Sequence, residues 1–104
     1  AFIARVEAVL VAELENEEFR LEKIADDFAI SYSYFRHKVK ELTGLSPKQL
    51  QQEIALQTAR KLLEAHHYGN LTAVAHSVGK RNVTRFKQLY QKRFGKDPSE
   101  YFLS

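Results

Sequence analysis

Apolar residues recur three and four positions apart along almost the whole chain, the period of helices that turn one face inward. In the first segment Phe2, Val6, Val9, Leu10 and Leu14 share a face, and Asn16 with the acidic cluster after it breaks the pattern. Leu21, Ile24, Ala25 and Phe28 then form the inner face of a short second helix. Ser31 or Ser33 is placed to cap a third, since a serine oxygen accepts a hydrogen bond from a free N–H of the first turn. That helix turns Phe35, Val39 and Leu42 inward and stops at Gly44. Ser46-Pro47 opens a fourth, with proline at a first-turn position where its missing N–H costs nothing. It is predicted from Pro47 to about His66, with Leu50, Ile54, Leu56, Ala59, Leu62 and Leu63 inward, and Tyr68-Gly69-Asn70 ends it. No segment sustains the strict alternation of a strand. The expected fold class is all-α, with about seven helices.

The pattern repeats. LEKIADDFA (21–29) and LTAVAHSVG (71–79) match at an offset of 50, pairing Leu21 with Leu71, Ile24 with Val74, Ala25 with Ala75, Phe28 with Val78 and Ala29 with Gly79. After one inserted residue the match continues at an offset of 51, pairing Phe35 with Phe86, Val39 with Tyr90, Gly44 with Gly95 and Pro47 with Pro98. Each copy reads as short helix, tight turn and longer helix, the helix-turn-helix layout. Ala25 and Ala75 are small where two helices cross closely. Gly79 suits a left-handed turn residue because it has no Cβ, and Ala29 at the same place carries a steric penalty. Phe86, Leu89 and Tyr90 supply the inward stripe of the second longer helix, and Phe94 is expected in the core with them.

Composition narrows the picture. With 104 residues, 44% of them hydrophobic, the chain suffices for one domain of modest core. It holds no apolar run long enough to span a membrane and no signal-peptide pattern. Cysteine is absent, which removes disulfides and thiolate metal sites and fits a cytoplasmic protein. The start at Ala1 and the lack of Met suggest a piece of something longer. Residues 1–28 hold eight acidic against three basic side chains, whereas residues 29–104 hold thirteen basic against five acidic. That asymmetry suggests that the later part meets a polyanion. His66-His67 makes a poor metal chelate, because neighbours on a helix point about 100° apart. Neither metal nor cofactor is expected.

Residues 19–101 resemble the DNA-binding domain of AraC/XylS regulators nearly end to end. The likeness rests on Ala59, Leu62 and Leu63 as A-x-x-L-L, on the Ala75…Gly79 turn, and on the closing stretch from Tyr90 through Phe94, Gly95 and Pro98 to Tyr101. The stretch Lys38–Pro47 is also similar to a variant at the C-terminus of hybrid two-component regulators of gut Bacteroidetes. The resemblance implies two homeodomain-like helix-turn-helix subdomains, at 1–45 and 68–104, joined by a long linker helix at 46–67. Twenty helical residues span roughly 30 Å, and successive major-groove faces lie about 34 Å apart. It also implies duplex DNA as partner, and with it RNA polymerase and an N-terminal sensory or dimerisation domain of the parent chain. Three positions depart from the family pattern: Lys80 replaces a usual Phe, Ala55 a usual Arg, and Leu50 a usual aromatic.

The N-terminal half of a recognition helix meets base edges. In the first copy Tyr32, Ser33, Arg36, His37 and Lys40 face outward, and the resemblance puts Ser33, Arg36 and His37 at reading positions. In the second the reading positions fall on Val83, Thr84, Arg85, Lys87 and Gln88. Arg36 and Arg85 have the bidentate geometry for guanine, Gln88 that for adenine, and Val83 a contact for a thymine methyl. Lys40, Lys48, Lys80, Arg81, Asn82, Lys92 and Lys96 are expected at phosphates. A second reading, a helical protein-interaction module that kept the fold, is motivated by Lys80, Ala55 and the acidic first helix. An enzyme has little support, since no Gly-rich phosphate loop, H-E-x-x-H or Cys nucleophile is present.

Overall fold

A computed structural model describes residues 1–103. Its elements are α1 (Phe2–Ala12), α2 (Glu22–Asp27), α3 (Tyr32–Thr43), α4 (Pro47–Glu64), α5 (Leu71–Ser77), α6 (Val83–Phe94) and a closing 3₁₀ helix (Pro98–Phe102). Among the described residues there is no strand. The chain divides into two compact units, Ala1–Ile54 and the remainder from Ala55 on.

The first unit is built on Val6, Leu10, Ile24, Ala25, Phe35, Val39 and Leu50, with Phe2, Phe19, Phe28, Ile30 and Tyr32 packed against them. The inward stripe of α1 is thus used up within this unit. The helix stops at Ala12, so Leu14 falls in the turn beyond it. Asn16 turns the chain there: its amide donates to Glu13 and its oxygen accepts from the Glu18 N–H, the local competition with helix that asparagine offers. In α3 Phe35 and Val39 are buried, and Thr43 continues their ridge half-buried. Leu42 lies on the flank and is 51% exposed, against the expectation that it faces inward. Thr43 instead donates to the Val39 carbonyl and accepts from the Leu45 N–H.

In the second unit Leu56, Ala59, Leu63, Val74, Ala75, Val78, Phe86 and Tyr90 are buried. Tyr90 stacks edge-on against Phe94 at 4.7 Å, and its hydroxyl lies 3.4 Å from that of Tyr101. Burial first, and that hydroxyl second, push the Tyr90 phenol above its ordinary range. Phe94 is only partly buried, with Arg60 and Arg93 over its ring. Ala55 and Leu50, both departures noted above, are core residues at 2% and 4% exposure.

Helix α4 ends two residues before the predicted limit. His66 takes a left-handed φ of 49°, the His67 N–H reaches the Leu62 carbonyl, and the His66 N–H that of Leu63. Those two bonds satisfy carbonyls at the helix end and turn the chain before Gly69 is reached.

Candidate nucleic-acid interface

The two copies share one turn at atomic detail. In the first, Ala29 has φ 57°, its N–H donates to Asp26, and the Ile30 N–H donates to Ala25 at 3.1 Å. In the second, Gly79 has φ 78°, its N–H donates to His76, and the Lys80 N–H donates to Ala75 at 2.8 Å. This paired bonding closes a helix onto a left-handed residue. Alanine adopts the conformation in one copy at a steric cost that glycine escapes in the other. The longer helices then start on side-chain caps: Ser31, not Ser33, accepts from the Tyr34 N–H, and Asn82 accepts from the Arg85 N–H. Both end at left-handed glycines, Gly44 and Gly95. Each copy therefore presents a longer helix of fixed start and stop, with one buried face and one polar face.

On α3, Ser33, Arg36, His37 and Lys40 are exposed. With Ser46 and Gln49 at the start of α4 they line one concave surface. His37 Nε2 lies 3.6 Å from the Glu41 carboxylate, both side chains being largely in solvent. Lys40 is tied to its own helix end, where its ammonium donates to the Gly44 carbonyl at 2.8 Å. Tyr32, expected outward, is half-buried with its ring 5.8 Å from that of Phe35. Burial raises its pKa, the Glu22 carboxylate adds to the rise, and Arg36 opposes it. Lys48 is exposed and borders a separate groove with Arg20, Glu22, Tyr32 and Gln51.

On α6, Thr84, Arg85, Gln88 and Lys92 are exposed, while Val83 and Lys87 are partly buried. Arg81 and Asn82, just before the helix, are exposed, and Asn82 spends its oxygen on the cap. Lys87 is near enough to Asp97 to help hold that carboxyl below its ordinary pKa, after the two hydrogen bonds from Ser99. Lys96 sits 3.9 Å over the Tyr101 ring. Lys80 is half-buried, and its pKa is lowered first by burial and then by the charge of Arg85.

Sequence reasoning took Ser46 only as the start of the fourth helix and did not name Gln49. Their signal was present, since Ser-x-x-Gln at a helix start is a reciprocal capping box. Among the described residues no group of three or more His, Cys, Asp or Glu is placed to hold a metal, and no helix is long and apolar enough to cross a membrane.

A family model described as a helix-turn-helix domain matches residues 24–104. The HTH-type transcriptional activator RhaS of Escherichia fergusonii is 35% identical over 94 residues, covering 88% of this chain and 34% of RhaS. Histidine kinase P4 of Formosa agariphila is 30% identical over 88 residues, covering 85% of this chain but 6% of the kinase. The chain thus spans about a third of the one relative and a small fraction of the other. Among solved structures, that of a probable AraC family transcriptional regulator from Rhodopseudomonas palustris superimposes with a TM-score of 0.80 at 27% identity, covering 97% of this chain and 94% of that one. With the whole second copy of the repeat and all but the first residues of the first inside the matched span, the chain belongs to the AraC-type helix-turn-helix family.

Proposed function

We propose that this chain binds duplex DNA at a preferred sequence through α3 and α6, and so regulates transcription. One observation carries the reading: the same left-handed turn, bonded in the same way, leads into a capped helix with a polar outer face in both copies. In this reading Ser33, Arg36 and His37 meet base edges in one major-groove segment. Val83, Thr84, Arg85, Lys87 and Gln88 meet them in the next, about 34 Å along the duplex. Lys40, Lys48, Lys80, Arg81, Asn82, Lys92 and Lys96 serve phosphates, which fix register without reading sequence. Lys40 leaves the Gly44 carbonyl to do so, and Lys96 swings off the Tyr101 ring.

Residues 1–45 and 68–104 act as the two reading subdomains and 46–67 as the linker between them. The partners that follow are DNA, RNA polymerase and a sensory or dimerisation domain of the parent chain, and the setting is the bacterial cytoplasm. The greater length of the relatives supports the additional domain.

Selection from a random duplex pool tests the proposal. A bipartite site is expected, its halves one helical turn of about 10 base pairs apart. Affinity for it should fall steeply with salt as counterions are released. Absent or salt-independent binding overturns the reading.

A further inference from the structure

The chain enters α6 through Lys80, Arg81 and Asn82, and of these three only Lys80 is half-buried. Its backbone is pinned: it follows the left-handed Gly79, and its N–H donates to the Ala75 carbonyl at 2.8 Å. The side chain therefore starts from a set place and is partly withdrawn from solvent. The Arg85 guanidinium, in the first turn of α6, lies close enough for its charge to act on the amine. Among the described residues no carboxylate pairs with Lys80 to offset that charge.

Both influences favour the neutral amine, burial first and Arg85 second. Desolvation and a neighbouring cation are two ways in which a protein turns lysine into a nucleophile. A lysine serving only as a phosphate contact needs neither. Arg85 adds a second property. Its guanidinium is exposed, and its fork of donors matches the oxygens of a phosphate group. A phosphate held there stands beside the Lys80 amine. A phosphate joined directly to an electrophilic carbonyl carbon is an acyl phosphate.

We infer that Lys80 is an acylation site for acyl phosphates, with Arg85 seating the phosphate while Nζ attacks the acyl carbon. The ammonium first yields one proton to water. The Nζ lone pair then forms a C–N bond to the carbonyl carbon, and the C–O bond to the phosphate breaks. Inorganic phosphate leaves with that electron pair, and the surplus proton on nitrogen passes to water. The product is a neutral amide, so a cation disappears from the approach to α6. The half-buried charge disappears with it. Acylation thus firms the second unit and weakens its hold on phosphate together. That effect on DNA rests on the reading that this chain binds a duplex, whereas the reaction itself does not.

The test incubates the whole 104-residue chain with acetyl phosphate and follows each lysine by peptide mass spectrometry at low conversion. Lys80 is expected to acetylate several-fold faster than the exposed Lys48, Lys61 and Lys92. Arg85→Ala, checked for folding by thermal unfolding, should slow Lys80 several-fold and leave those three unchanged. The drop should be smaller with an uncharged acetyl ester, which has no phosphate to seat. A Lys80 no faster than the exposed three overturns the inference. An equal drop with both donors overturns the seat at Arg85.

The selected duplex, in excess, should protect Lys80. Among lightly acetylated chains, those modified at Lys80 should gather in the unbound fraction. Their Tm should be a few degrees higher, and their salt slope lower by about one phosphate contact. Acetylated Lys80 equally common in bound and unbound chains overturns the consequence for DNA. A chain that acetylates at Lys80 yet binds no duplex at all overturns the DNA reading alone, a result distinct from any of these.

Discussion

Lys80 occupies the position that Ile30 fills in the first unit, one residue past the left-handed turn, with its N–H bonded to the Ala75 carbonyl. An apolar side chain at that place packs back onto the helix it has just left. Ile30 does so against the first core. Lys80 instead brings an ammonium into a half-buried setting beside Arg85, and both burial and that neighbour disfavour its charge. Lys80→Ile should therefore stabilise the second unit. Covering about 40 Å² more apolar surface at about 25 cal/mol per Å² contributes about 1 kcal/mol. The methylenes of the lysine stem already cover part of that area, which reduces the net gain to about 0.5–1 kcal/mol before any relief of charge. For a small domain this raises Tm by a few degrees, at about 4–8 °C per kcal/mol. Because the folded pKa lies below the unfolded one, the unfolded chain binds the Lys80 proton more tightly. The penalty is thus present at neutral pH and fades as pH rises through the window just below 10.5. The stability difference between parent and variant should narrow between pH 7 and pH 10.5. Duplex affinity should move the other way, with the salt slope falling by about one phosphate contact. Thermal unfolding by circular dichroism at the two pH values, with a salt titration of DNA binding, reads all three effects. A lower Tm for Lys80→Ile, or a difference independent of pH, would refute the reasoning.

Three further outcomes are expected. Ala29→Gly relieves a left-handed alanine worth about 1 kcal/mol and loses part of that to the freer unfolded chain, so a gain of about 0.5 kcal/mol should appear in denaturant unfolding; Gly79→Ala should instead lose about 1 kcal/mol. Asn82→Ala removes the oxygen that accepts from the Arg85 N–H and should cost about 1 kcal/mol, seen as faster hydrogen exchange at the start of α6. In DNA titrations, Arg36→Ala should relax preference at one base position, whereas Lys92→Ala should weaken all sequences alike; uniform loss from Arg36→Ala would remove it from the base-reading set.

The elements were legible in the sequence because each is bounded by chemistry that acts locally. Serine or asparagine starts a helix, glycine closes it, and the small Ala25 and Ala75 recur at one offset. Leu42 misled because i+3 and i+4 spacing both count as periodic, and only packing decides that the ridge runs from the buried Phe35 and Val39 to a half-buried Thr43. His66 misled because a left-handed histidine is uncommon, so Gly69 looked like the natural stop. At the candidate interface, helical phase sufficed to pick exposed cations. It could not show that Lys40 spends its charge on Gly44 or Lys96 on Tyr101, because such ties depend on which ends of the chain meet.

Comparing the copies shows how little side-chain chemistry the turn itself requires. Its hydrogen bonds are the same in both, yet each copy holds one favourable and one unfavourable residue at the two defining places. The first pairs a strained Ala29 with a well-packed Ile30, and the second pairs a relaxed Gly79 with a penalised Lys80. Backbone bonding fixes the geometry, and the adjacent residues only tune how firmly each unit holds it. The two flaws are of different kinds, one steric and one electrostatic, and they lie in different units. Ala29→Gly and Lys80→Ile together should therefore add within about 0.5 kcal/mol. Only the Lys80 change should alter DNA affinity, because it alone removes a charge from the face that the proposed function sets against phosphate. A double variant whose stability gain falls well short of the sum would mean that the two turns are coupled, and the treatment of each copy as a self-sufficient unit would then fail.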